Sequence, residues 1–132
     1  MGNQPTNTDY AQLAELDAMR RTVSTREDHF ERLWIATRSL HQRFDVVPSV
    51  DRQIPLVLEE MNEAVAAARL EGDAALAQEI ADSIVVLMGL AMARGVTLDD
   101  LHTAMNTVIS KNNAKTHLTH AVDPNTLKIK RK

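Results

Sequence analysis

Between Glu59 and Ala93 the chain carries seven acidic side chains and one basic one, Arg69. Several of these acids do not lie where water would keep them. Leu56, Glu60, Glu63, Ala67 and Leu70 are spaced i, i+4, i+7, i+11 and i+14, a single stripe of an α-helix that ends on leucine at both sides. Glu59, four residues before Glu63, flanks that stripe. A second stripe, Ala75, Glu79, Asp82, Val86 and Gly89, repeats the pattern, and after Asp82 only Ser83 is polar until Arg94. A helix apolar all round is expected at the centre of its assembly, so Glu79 and Asp82 at its entrance are expected to point inward or into a cleft. Unpaired carboxylates are costly to bury, and close like charges raise each other's pKa. One arginine cannot neutralise four or five of them; a divalent cation can. An all-oxygen ligand set favours magnesium or manganese over zinc or iron. The Glu-x-x-His signature of di-iron bundles is absent, since Ala66 stands three residues after Glu63. Most acidic runs are solvated faces; two pairs on adjacent helices, each within an apolar stripe, set this one apart.

The remaining pattern is helical as far as about Asn113. With 132 residues, 44% of them hydrophobic and only 3% aromatic, the chain is long enough for one core, filled mainly by Ala, Leu, Val and Met. Residues 9–21 read as a modest amphipathic helix with Leu13, Leu16 and Met19 on one side. Ser24 with Glu27 reads as a capping box opening a second helix to about Phe44, carrying Phe30, Leu33, Trp34 and Leu40. A third helix is expected from about Pro55 to Leu70, since proline is tolerated in a first turn. A fourth spans 74–94 and ends at Gly95; a fifth, opened by Thr97 with Asp99 and Asp100, runs to about Asn113. From Thr116 to the terminal KIKRK the chain reads as irregular. The expectation is an all-α bundle of four to five helices in a single domain, 1–132: an N-terminal extension or helix over 1–23, a core over 28–115 and a basic tail over 116–132.

Several classes of function are disfavoured. A net charge of −3 argues against a dedicated nucleic-acid binder. Without cysteine there is no thiolate ligand or nucleophile. The polar start MGNQPTNTD is unlike a signal peptide, and the longest apolar run, Ile84 to Ala93, is about half of a membrane span. A cytoplasmic protein is expected, with no membrane partner.

EExxE (Glu59, Glu60, Glu63), followed after a short loop by ExxD (Glu79, Asp82), resembles the signature of the all-α nucleoside triphosphate pyrophosphohydrolases. These include MazG-like proteins, dimeric dUTPases and phosphoribosyl-ATP pyrophosphohydrolase. GVTLDDLHTAMNTVISKNNAK is similar to the last core helix of that superfamily, with an Asn-x-x-Lys at Asn112 and Lys115; LHQRF (40–44) loosely matches an upstream aromatic element with Leu40 in place of the aromatic. The resemblance covers about residues 28–118. It implies a MazG-like fold and cleavage of a nucleoside triphosphate to monophosphate and pyrophosphate, with magnesium, or manganese, held by Glu60, Glu63, Glu79 and Asp82. Glu59 would orient the attacking water or hold a further metal, and Asn112 and Lys115 would contact phosphate or sugar.

House-cleaning of non-standard or excess nucleotides is the first expectation, phosphoribosyl-ATP hydrolysis the second. A non-catalytic helical protein that binds metal or a partner is the rival of another class. His41 and Trp34 are candidates to touch the base, although a lone Trp at helical spacing is more often core. Met88, Met92 and Met105 are most simply core, and His102, His117 and His120 show no ligand spacing. A homodimer or homotetramer is expected, because so small a chain can scarcely cover a helix that is apolar all round.

Overall fold

The computed structural model describes residues 7, 9–15 and 28–132. Residues 9–15 are helical, and Tyr10 and Leu13 on that stretch are exposed. Leu16, Met19, Ser24 and Glu27, which carried the expected first helix and the first capping box, lie outside the described residues. Four further helices follow: α1 (His29–Arg43), α2 (Val50–Leu70), α3 (Asp73–Arg94) and α4 (Leu98–Asn113). The fold is an all-α bundle, as expected.

The helix ends follow from local chemistry. Asp28 caps α1, its carboxylate accepting the Glu31 amide at 3.0 Å. Helix α2 begins at Val50, five residues before the expected Pro55. Ser49 is its N-cap, so Pro55 sits inside the helix, where it withholds an amide from the exposed Asp51. Helix α3 starts after Gly72 and ends at Gly95, whose φ of 75° is the left-handed conformation that glycine adopts without strain. Thr97 and Asp100 close a reciprocal capping box on α4: the Asp100 amide donates to Thr97 Oγ1 at 3.1 Å, and the Thr97 amide to Asp100 at 2.9 Å.

Helices α2 and α3, joined by Glu71 and Gly72 alone, fold back on each other as the principal pair, and α1 packs on α3. The core is narrow. Among the described residues only Trp34, Ala67 and Met88 are buried hydrophobics, joined by Thr37 and Gln53. Trp34 is therefore a core residue on α1. Helix α3 was expected to be enclosed, yet only Met88 and Gly89 on it are buried, while Ile80, Ile84 and Leu87 are exposed. It is long and apolar enough to cross a membrane by length and composition, with acids at its entrance that take part in the cluster described below.

Gln53 ties the helix pair together. Its Nε2 donates to the Val86 carbonyl at 2.9 Å, and a Cβ on Gly89 would stand 2.8 Å from its Cδ. Gly89→Ala would dislodge this buried amide, costing roughly 1–3 kcal/mol against about 1 kcal/mol gained in helix propensity. We expect a net loss of about 1 kcal/mol in the wild-type background and a gain in a Gln53→Ala background. Urea melts of the four proteins read that reversal; the same sign in both backgrounds contradicts the contact.

The C-terminal segment is not irregular. His120–Val122 (β1) and Ile129–Arg131 (β2) form an antiparallel hairpin with His120 opposite Arg131, Ala121 opposite Lys130 and Val122 opposite Ile129. Asp123 organises its turn. Its carboxylate accepts the Asn125 and Thr126 amides at 2.9 and 3.4 Å and pairs with Lys130 at 2.8 Å, which holds the Asp123 carboxyl below the usual carboxylate range. Leu127 takes the left-handed conformation, φ 58°.

Candidate active site

The two acid stripes meet where α2 faces α3. One carboxylate oxygen each from Glu60, Glu79 and Asp82 lies within 4.8 Å of the other two. All three residues are half-buried. Oε2 of Glu60 and Oε2 of Glu79 are shielded from solvent and have no hydrogen-bond donor. Burial pushes the carboxyls of both residues above the usual range, and the nearby Glu63 carboxylate pushes them further; Asp82 adds to both. Glu63 thus joins the cluster from its exposed rim. Glu59 is exposed and stands outside the three convergent oxygens.

Among the described residues, none of the five acids has a basic partner; Lys130 and Asp123 form an ion pair at the other end of the chain. Arg69 serves none of them. Two neutral contacts shape the α3 side. Gln78 Nε2 donates to Asp82 at 3.4 Å, and the Ser83 hydroxyl donates to the Glu79 carbonyl at 2.9 Å. Gln78 was not singled out from the sequence, although its i, i+4 spacing to Asp82 is legible there.

Convergent carboxylate oxygens, two of them shielded acceptors without donors, suit a hard divalent cation. The same arrangement predicts how the metal-free protein responds to pH. Glu60 and Glu79 have folded-state pKa values raised above 4.5, so above that pH the folded chain retains protons that the unfolded chain has released. Their protonation contributes stability that is full below 4.5 and is lost as pH rises through the raised values. Asp100 and Asp123 are shifted the other way, downward from 3.8, and act only at lower pH. Acidification from pH 7 towards 5 is expected to raise the melting temperature of metal-free wild type more than that of metal-free Glu79→Gln. Equal responses of the two proteins would contradict the raised pKa.

The other candidates are not part of this cluster. The Lys115 ammonium donates to Asn112 Oδ1 at 3.0 Å, and both residues line a separate cavity of about 470 Å3 with Thr116, His117, His120, Ala121, Val122 and Ile129. His117 and His120 meet here because the hairpin folds back, which no His spacing announced. Trp34 lies in the core with 7% of its surface exposed, leaving little ring face for a base. His41 is half-buried on α1, its Nδ1 shielded and without a partner.

Comparison with known proteins agrees with the acid pattern. No curated protein and no solved structure matches the chain. Residues 17–108 match the model of the phosphoribosyl-ATP pyrophosphohydrolase family, and this span contains all five acids of the α2–α3 face. The family falls within the all-α nucleoside triphosphate pyrophosphohydrolases, with MazG-like relatives, to which the acid motifs were likened. With the matched span covering most of its length, the chain belongs to the phosphoribosyl-ATP pyrophosphohydrolase family and is a hydrolase of an acid-anhydride bond.

Proposed function

We propose that the protein is a magnesium-dependent phosphoribosyl-ATP pyrophosphohydrolase, cleaving between the α- and β-phosphates to leave a monophosphate and pyrophosphate. The observation that carries this reading is the convergence of Glu60, Glu79 and Asp82 within 4.8 Å, in a chain matched to that family. The acid motifs alone placed house-cleaning of non-standard nucleotides first; the family match favours phosphoribosyl-ATP instead.

Glu60, Glu63, Glu79 and Asp82 would hold the magnesium, with manganese as a substitute of the same ligand preference. Bound magnesium would neutralise phosphate oxygens and lower the pKa of water at the site. The chain's own contribution is to hold its carboxylates on two helices locked together by the Gln53 contact, so that little reorganisation accompanies substrate binding. Glu59, exposed beside Glu60, would accept the proton of the attacking water. Lys115 and Asn112 would contact phosphate as point charge and amide. The same reading makes this a cytoplasmic enzyme without a nucleic-acid partner.

The test is magnesium-dependent pyrophosphate release from phosphoribosyl-ATP alongside ATP and the deoxynucleoside triphosphates. The expected result is a clear preference for phosphoribosyl-ATP. Preference for a deoxynucleotide would return the house-cleaning reading, and no release from any of them would overturn the enzymatic reading.

A further inference from the structure

Helix α2 buries only two of its residues, Gln53 and Ala67. An alanine side chain is small enough to fit several alignments of a helix pair. Gln53 is therefore the one long side chain of α2 that is enclosed, with 6% of its surface exposed. It reaches α3, where its Nε2 donates to the Val86 carbonyl at 2.9 Å and its amide lies over Gly89. Gly89 is the one glycine of α3. Every other residue of that helix carries a Cβ, so no other position offers the amide the same close approach.

The acids lie in step with this contact. Glu60 is seven residues beyond Gln53 along α2, and Asp82 is seven residues before Gly89 along α3. Glu63 and Glu79 lie ten residues from the same two points. Because the helices run in opposite directions, equal counts from one contact bring the acids level, about 10 and 15 Å along the pair at about 1.5 Å per residue. The convergence of Glu60, Glu79 and Asp82 within 4.8 Å accords with that register. Mutual repulsion of the acids works against it. Two oxygens on one magnesium ion stand at most about 4.2 Å apart, twice the usual bond length, so small side-chain movements close the cluster on a cation. A slip of one helical turn, about 5.4 Å, would instead leave one pair of acids opposed in place of two.

We propose that Gln53 is a positioning residue for the metal site: docked on Gly89, it sets the register of α2 against α3 and so aligns the carboxylates before a divalent cation arrives. The inference rests on the reading of the acids as a magnesium site and adds what aligns them. Gln53 acts from two helical turns away and touches neither cation nor substrate.

Mn2+ reads the site without substrate, since its six-line electron paramagnetic resonance signal in water is lost on binding. Wild type, Gln53→Ala, Gly89→Ala and the double variant are titrated and melted in parallel. Each single variant is expected to bind Mn2+ about tenfold more weakly than wild type, the lower end of what loss of supporting contacts costs a metal site. The double variant separates register from stability. Its two alanines meet without a clash, so it melts above Gln53→Ala, yet alanines fit several alignments and its Mn2+ affinity is expected to stay low. Gln53→Met keeps the length of the side chain without the donor; its affinity is expected to fall between those of wild type and Gln53→Ala, and it replaces Gln53→Ala where that variant does not fold. Trp34→Phe, which lowers stability from α1, is expected to bind Mn2+ as wild type does. Wild-type affinity in Gln53→Ala or in the double variant overturns the positioning role, as does affinity that follows the melting temperature across the whole set. A wild-type chain that takes up no Mn2+ would sink the metal reading itself, a separate result.

Discussion

Glu79→Gln is expected to remove magnesium-dependent turnover almost entirely while making the metal-free protein more stable. The first effect follows from losing one of three convergent carboxylates, so that the metal is held loosely or not at all. Metal ions supply several kcal/mol of transition-state charge stabilisation, which corresponds to a loss on the order of a thousandfold. The second follows from repulsion. Glu79 sits against Glu63 and Asp82 with one oxygen buried and unpartnered, which raises its pKa, and a neutral amide relieves both burdens. Melting with and without magnesium separates the two effects. Wild type should gain stability with the metal and the variant should gain little. Retained turnover, or equal metal stabilisation of both proteins, would mean that the acids form a solvated face.

Trp34→Ala is expected to lower stability by about 3–5 kcal/mol, a large share of the roughly 5–15 kcal/mol that holds a domain together. Trp34 is one of only three buried hydrophobics among the described residues, and its helix packs on α3, which carries two of the acids. Trp34→Phe, which retains an apolar ring, should recover much of the loss. A base-stacking Trp would behave differently, raising KM with little change in the melt. Chemical denaturation beside steady-state kinetics distinguishes the two, and an unchanged denaturation midpoint in Trp34→Ala would contradict its place in the core.

The acid cluster was legible because helical periodicity is exact enough to say which residues share a face. Glu60 with Glu63, and Glu79 with Asp82, needed only a short connection for their stripes to meet, and Glu71–Gly72 provides it. Capping chemistry was equally readable at Thr97 and Asp100, where donor and acceptor are three residues apart. The start of α2 was not, because Pro55 reads as a helix opener although the Ser49 hydroxyl caps the chain earlier. The hairpin escaped because strands of three residues are too short for alternation to register, and its turn depends on one side chain, Asp123, accepting two amides. The apolar character of α3 was plain, but not that Ile80, Ile84 and Leu87 on it would stand exposed.

Hydrolysis in ¹⁸O-labelled water tests the central claim most directly, that the carboxylates of α2 and α3 direct attack to the α-phosphorus. The chain has no Gly-rich phosphate loop of the GxxxxGK[ST] type to grip the β- and γ-phosphates on backbone amides, and its acids can engage phosphate only through metal. Mass spectrometry of the products should place the label in the monophosphate, with unlabelled pyrophosphate released intact. Label in the pyrophosphate, or direct release of orthophosphate, would contradict the account.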